Sequence, residues 1–328
     1  VEIRSHEDTD VEQYVKQIDH ELVFVELPEE FKKAKLLLEE ILKDDTHWLR
    51  EHHYTFTYKP SKTMLLEVQK KIIASFARSK KNYGAFWAMM RTASAIKVDH
   101  AMELVETQGI MPLFDFLHKI STSKKKTDMR LAKNPKFLEV YSLVSELHGK
   151  SIEHPKLGRT VEMVKGILEE KPDAKMIIFA NFRSTVERIN DALNGAGVKS
   201  TILIGQSMKE GKGLTQEQQI EAIRRFGDGE FSVMCGTQVS EEGLSIVDVD
   251  AVIFFEPVAS EIRAIQRRGR TGRTSAGRAI FMITKDTRDE AYYYAAIKKE
   301  RKMKDILYDM KEKGVKVKRD ISLLDFSK

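Results

Sequence analysis

Between Pro155 and residue 283, short apolar runs alternate with amphipathic stretches. The runs are Met176-Ile177-Ile178-Phe179-Ala180, Thr201-Ile202-Leu203-Ile204, and residues 231–236, 251–255 and 279–283. Residues 158–171, 183–195, 215–227 and 259–268 lie between them, with apolar positions recurring at three and four; Gly195 and Gly197 give the second a stop. A run without polar alternation is buried on both faces, and strands separated by helices pair in parallel. The pattern predicts an α/β fold: a parallel sheet covered by helices on both faces.

The earlier part of the chain follows another period. Residues 1–21 are polar and read as a connector, and Leu22-Val23-Phe24-Val25-Glu26-Leu27 reads as a strand closed by Pro28. From Glu29 to about Leu147, Phe31, Leu36, Leu37, Leu38, Ile41 and their successors recur at helical spacing. Helices are expected near 29–43, 62–80, 84–107, 110–120 and 134–148, an all-helical block with no strand among them. Residues 286–312 read as one long charged helix, and 313–328 as a tail.

A chain of 328 residues has room for two ordinary domains, and 41% hydrophobic content excludes wholesale disorder. The net charge of +5 permits a polyanionic partner without requiring one. A lone cysteine, Cys235, sits in an apolar run; it rules out an internal disulfide and points to a buried, inert thiol in a reducing, cytoplasmic setting. No apolar run approaches the roughly 20 residues of a membrane helix. The chain starts at Val1 with no signal peptide, as expected of a piece of something longer.

Ligands of an open parallel sheet bind outside the carboxyl ends of its strands. Three stretches follow such ends: Ala180-Asn181-Phe182-Arg183, Gly205-Gln206-Ser207, and Gly236-Thr237 through Gly243-Leu244. They offer glycine, hydroxyl or amide groups beside helix starts, which suits the phosphates of a nucleic-acid backbone; each alone also reads as a turn. A fourth stretch, Gln266-Arg267-Arg268-Gly269-Arg270-Thr271-Gly272-Arg273, packs four arginines and two glycines into eight residues. Arginine offers a planar fork of donors to phosphate, and Arg270 and Arg273, three apart, share a face on a helical turn. A solvated basic helix end is the bland alternative, which the two Gly-Arg steps disfavour. In the helical block, Lys119 to Lys136 is basic and includes Lys124, Lys125 and Lys126; it is either a solvated loop or a phosphate-gripping patch.

The eight residues resemble the last motif of superfamily 2 helicases, Gln/His-Arg-x-Gly-Arg-x-Gly-Arg. The three loops, in the same order ahead of it, resemble motifs IV, IVa and V. The resemblance implies that Arg270 and Arg273 are arginine fingers for the γ-phosphate of ATP, a device worth on the order of 10³ to 10⁵ in rate. Gln266 would order the phosphate or the attacking water. Gly243, Ser245 and Arg267 would line the nucleotide, and Asn181, Arg183, Gly205, Gln206 and Thr237 would face the nucleic-acid strand. Motif V usually carries aspartate where this chain has Ser245, so the ribose contact would lack a charge.

Four further stretches narrow the family. Phe255-Glu256-Pro257-Val258, Ile262-Arg263-Ala264-Ile265, Thr287-Arg288-Asp289-Glu290-Ala291-Tyr292-Tyr293 and His100-Ala101-Met102-Glu103-Leu104-Val105-Glu106-Thr107-Gln108-Gly109 are similar to the archaeal Hef helicase. Hef is related to FANCM and more remotely to the helicases of Dicer and the antiviral RNA sensors. The resemblance implies a connector and first strand of a RecA-like domain over 1–28, an all-helical insert over 29–150, and the second RecA-like domain over 151–312. It implies ATP-driven movement on branched or forked DNA in repair, with ATP and Mg²⁺ held mainly by a first RecA-like domain of the same protein.

No Gly-x-x-x-x-Gly-Lys-Ser/Thr stretch occurs, so this chain alone is expected to be inactive. Asp289-Glu290-Ala291-Tyr292 imitates a DEAx box without an apolar strand ahead of it and reads as helix surface. His47, His52 and His53 lack a metal-ligand pattern, and Trp48 beside them suggests helix surface and core. Two rivals stand: an RNA-directed helicase of the Dicer and sensor branch, and a non-catalytic nucleic-acid-binding module.

Overall fold

The computed structural model describes residues 19–78, 83–205, 214–237, 249–257, 277–295, 297–298, 302 and 305. Among them six strands form one all-parallel sheet in the order β1-β6-β5-β2-β4-β3: β1 (Asp19–Val25), β2 (Met176–Phe179), β3 (Ser200–Leu203), β4 (Val233–Gly236), β5 (Ala251–Phe254) and β6 (Arg278–Thr284). The apolar runs become strands because both their faces are covered. On one face Ile178, Ile253, Ile280 and Met282 pack with Val164 and Ile167 of α7 (Pro155–Glu170) and Val186, Ile189 and Leu193 of α8 (Arg183–Gly195). On the other, Ile177, Phe179, Val252, Phe254 and Phe281 pack with Phe226 of α9 (Gln216–Gly227) and with Tyr293. Cys235 is buried in the first cluster, where burial pushes its thiol up from the ordinary range.

The strand before the helical block is part of this sheet. β1 runs along β6, with Val23 opposite Met282. As an edge strand it covers one face only: Val23 and Val25 are buried, while Leu22 and Phe24 are exposed.

The block itself holds α1 (Glu29–Glu51), α2 (Lys62–Arg78), α3 (Tyr83–Thr107), α4 (Ile110–Ser121), α5 (Lys126–Ala132) and α6 (Pro135–Gly149). One core joins Phe31, Leu38 and Ile41 of α1 to Val98 and Val105 of α3, Leu113 and Leu117 of α4 and Phe137 and Val144 of α6. A smaller one joins Leu49, Leu65, Ile72 and Ala88 at the far ends of α1, α2 and α3. Sharp starts have local causes: Asn134 and His154 each accept a backbone N–H two residues on, with proline next in line, and Thr215 and Gln218 form a capping box on α9.

Two expectations change. The basic stretch contains a short helix, α5, held by buried Leu131 and by Asp128, which pairs with Lys97 and accepts from Ser123 at 2.7 Å. Asp289 is not helix surface. The apolar strand β6 lies directly ahead of it, and its side chain is fully buried against Lys156.

Candidate nucleotide and nucleic-acid site

A parallel sheet delivers every strand's following loop to one edge. β5, β2, β4 and β3 are neighbours in that order, so Glu256, Asn181, Thr237 and Gly205 emerge side by side. Backbone hydrogen bonds carry the register past the strand ends. Phe255 N–H donates to Phe179 (2.9 Å), Ala180 N–H to Gly236 (3.1 Å) and Thr237 N–H to Leu203 (3.4 Å). Asn181 is exposed, and Arg183 opens α8 half-buried, its Nε 3.4 Å from Glu187.

Gln206, Gly243, Ser245, Gln266, Arg267, Arg270 and Arg273 lie outside the described residues. The segment that carries the arginines joins the carboxyl end of β5 to the amino end of β6. Lys124 and Lys125, between α4 and α5, and Lys126, the first residue of α5, are exposed on the helical block and not among the strand-end loops. Further along, Arg130 pairs with Asp45 (2.8 Å) and Lys136 with Glu40 (3.0 Å), so part of the basic stretch is neutralised.

The sequence reading missed a buried polar seam under this edge. Glu256, one residue past Phe255, is 3% exposed; one carboxylate oxygen accepts from Gln108 and the other from the Asn181 N–H at 2.5 Å. Burial pushes its carboxyl up to about 7, against the pull of Lys156 and these donors. Lys156, in the first turn of α7, donates to the Phe255 carbonyl (2.8 Å) and pairs with Asp289. His154 accepts from Lys156 N–H at Nδ1, so Nε2 carries the proton and donates to the Glu106 carbonyl at 3.1 Å. Burial and Lys156 depress this imidazole to about 3, and it stays neutral.

Beside it, Arg288 grips Asp99 (2.8 and 3.1 Å) and Glu106 (3.1 Å), and Lys35 reaches Glu106 at 3.0 Å. Burial nevertheless raises the Glu106 carboxyl, outweighing Lys35 and Arg288. The stretch His100–Gly109 is thus the joint between the helical block and the sheet. His52 stacks on Trp48 with centroids 3.8 Å apart, and His47 on Tyr58 at 5.2 Å. Among the described residues no three His, Cys, Asp or Glu side chains are placed to hold a metal, and no helix is long and apolar enough to cross a membrane.

Comparison with known proteins agrees with this architecture. The family profile "Helicase conserved C-terminal domain" matches residues 159–275, and "Putative ATP-dependent RNA helicase, helical bundle" matches 30–144. The crystal structure of the Pyrococcus furiosus Hef helicase domain superposes with a TM-score of 0.76 at 35% identity, covering 89% of this chain and 61% of that one. A Methanocaldococcus jannaschii protein named as a putative ATP-dependent RNA helicase is 40% identical over 94% of this chain and 39% of its own length. The ATP-dependent DNA helicase mph1 of Sclerotinia sclerotiorum is 27% identical over 89% of this chain and 26% of its own. This chain therefore spans well under half of these curated relatives. The helical bundle and the C-terminal helicase domain follow one another in this order, an arrangement similar to that of the Pyrococcus furiosus Hef helicase domain.

Proposed function

We propose that this chain is the second half of an ATP-dependent motor that moves on branched or forked DNA. The observation that carries the reading is the row of strand-end loops: Asn181 and Arg183, Gly205, and Thr237 share one edge of the sheet. Backbone phosphate and sugar are what such loops can hold without reading sequence, as a motor on arbitrary DNA requires. With Gln206 they form the grip, to which Lys124, Lys125 and Lys126 on the insert add charge. Gly243, Ser245 and Arg267 face the nucleotide. Arg270 and Arg273 complete its γ-phosphate site, with Gln266 beside them, when the first RecA-like domain closes against this one. ATP and Mg²⁺ are bound mainly by that first domain, so this chain alone hydrolyses almost no ATP.

The test is turnover in the complete protein. Arg270→Ala or Arg273→Ala is expected to abolish ATP hydrolysis and leave DNA binding largely intact, whereas unchanged turnover refutes the finger assignment. A second reading, duplex RNA as the track, draws on the RNA-helicase names of the helical-bundle profile and of the 40% identical relative. ATPase stimulation by forked DNA against duplex RNA decides between them.

A further inference from the structure

The stretch His100–Gly109 ends in a residue that the proposed function leaves without a role. α3 stops at Thr107, and Gly109 then turns through a left-handed φ of 96°. That turn leaves the Gln108 side chain buried under the carboxyl edge, 5% exposed. Its amide nitrogen donates to Glu256 and its amide oxygen accepts from the Thr185 hydroxyl. The far oxygen of Glu256 takes the Asn181 N–H at 2.5 Å. Residues 181–185 carry Asn181 and Arg183, two of the groups assigned to the strand. Gln108 thus holds this loop at both ends, directly at Thr185 and through Glu256 at Asn181.

A plain structural role, gluing the insert to the sheet, falls to other groups. Arg288, Asp99, Glu106 and Lys35 form a charged anchor between α3, α1 and the end of β6. His154 adds a hydrogen bond to the end of α3. With Gln108 removed these remain, and the insert stays attached. What Gln108 alone supplies is a neutral amide with a donor facing β5 and an acceptor facing α8, matched to two loops that must keep a fixed offset.

We propose that Gln108 is a positioning residue: it transmits the placement of the helical insert to the motif IV loop, and so sets how tightly Asn181 and Arg183 grip the nucleic-acid backbone. This rests on the reading of that loop as a nucleic-acid grip. Gln108→Leu keeps the bulk but leaves Glu256 and Thr185 without their partner. Gln108→Glu sets two carboxylates against each other. In the pair Gln108→Glu with Glu256→Gln, the carboxylate introduced by the first exchange would accept from Thr185 and from the amide introduced by the second, whose oxygen still accepts from Asn181.

The experiment uses the complete protein and its ATPase, titrated with forked DNA, or with duplex RNA if that is the better activator. The half-saturating nucleic-acid concentration is expected to rise about ten-fold for Gln108→Leu and more for Gln108→Glu. The maximal rate of Gln108→Leu should stay near wild type while its urea midpoint falls, because Glu256 and Thr185 lose a buried partner, and the double exchange should restore the half-saturating concentration. A fall in maximal rate at unchanged half-saturation overturns the proposal. So does an unmoved titration, or a double exchange no better than Gln108→Glu. If Gln108→Leu fails to fold, Gln108→Glu against the double exchange decides: a raised half-saturation that the second exchange restores supports the proposal, and an unmoved or unrestored one overturns it. Should the wild type show no stimulation by either nucleic acid, the grip reading falls and this inference with it; a stimulated wild type beside an unmoved Gln108→Leu sinks the inference only.

Discussion

Lys156 and Asp289 make the sharpest energetic test of the seam that joins the two parts of the sheet edge. Their side chains are 0% and 1% exposed. Lys156 Nζ also donates to the Phe255 carbonyl at 2.8 Å, and one Asp289 oxygen also accepts from the Thr284 N–H at 3.1 Å. The other Asp289 oxygen has no hydrogen-bond partner among the described residues. Lys156→Met keeps length and removes the charge, leaving a buried carboxylate held by one backbone N–H. Stranding one partner of a buried pair costs about 3–5 kcal/mol. Asp289→Asn strands the ammonium instead, with the Phe255 carbonyl as its remaining partner. In the double variant neither charge of the pair remains, the Thr284 N–H keeps an acceptor, and about half of the larger single loss should return. The singles are therefore strongly non-additive, with a coupling above about 1 kcal/mol. Urea unfolding followed by circular dichroism at pH 7 and fixed salt measures all four corners of this cycle. Additive losses, or a Lys156→Met variant within about 1 kcal/mol of wild type, would refute the assignment of this pair as a buried, mutually dependent one.

Three further outcomes are expected. Gly109→Ala meets both a left-handed φ of 96° and the His154 Cβ at 3.0 Å, so it should cost about 1–3 kcal/mol; Gly149→Ala, with open space around it, should be neutral or stabilising in the same thermal melts. His154 is depressed to about 3 when folded and titrates near 6.5 when unfolded, so the unfolded chain takes up the extra proton between these values. Its contribution is complete above pH 6.5 and is lost on acidification at about 1.4 kcal/mol per pH unit. Glu256, raised to about 7, acts in the opposite sense between 4.5 and 7, so the quantity to compare is the slope of wild type against His154→Gln, which should differ by about one proton. Replacing Lys124, Lys125 and Lys126 by alanine should lower the salt slope of DNA binding by about 0.9 per lysine that faces a phosphate, and an unaltered slope would make them solvent-facing charge.

The sheet was legible because each strand is an apolar run with both faces covered, as in Met176-Ile177-Ile178-Phe179, whose four residues are all buried. The convergence of Asn181, Gly205 and Thr237 on one edge followed from parallel pairing alone. What escaped has one physical cause: polar side chains whose partners are far away in sequence. Asp289 reads as helix surface until Lys156, 133 residues earlier, is brought against it. Helix α5 hides among lysines because Asp128 finds Lys97 on α3, and Arg130 finds Asp45 on α1. Hydropathy assigns such residues to solvent, and only the folded chain shows that their charges cancel inside. His100–Gly109 stood out as a family-like stretch, but nothing local revealed that Glu106 and Gln108 point into a different domain.

The topology explains why this joint sits where the chemistry is expected. β1 pairs with β6 in parallel, so its carboxyl end, from which the insert departs, lies at the same edge as the loops after β2, β3 and β4. The chain returns there too, since Lys156 in the first turn of α7 bonds to Phe255 at the end of β5. A helical body hung from two neighbouring covalent links could still rotate about the line between them. Non-covalent contacts off that line remove the rotation: Arg288 with Asp99 and Glu106 beside β6, and Gln108 with Glu256 and Thr185 beside β5 and α8. The two contacts differ in kind. The first is a cluster of charges, tolerant of small shifts because Coulomb attraction falls off slowly with distance. The second is a chain of hydrogen bonds between neutral and acidic groups, which weakens steeply with distance and angle. A small rotation of the insert would therefore leave the charged contact engaged while breaking the hydrogen-bonded one, and the loop of Asn181 and Arg183 is attached to the one that breaks.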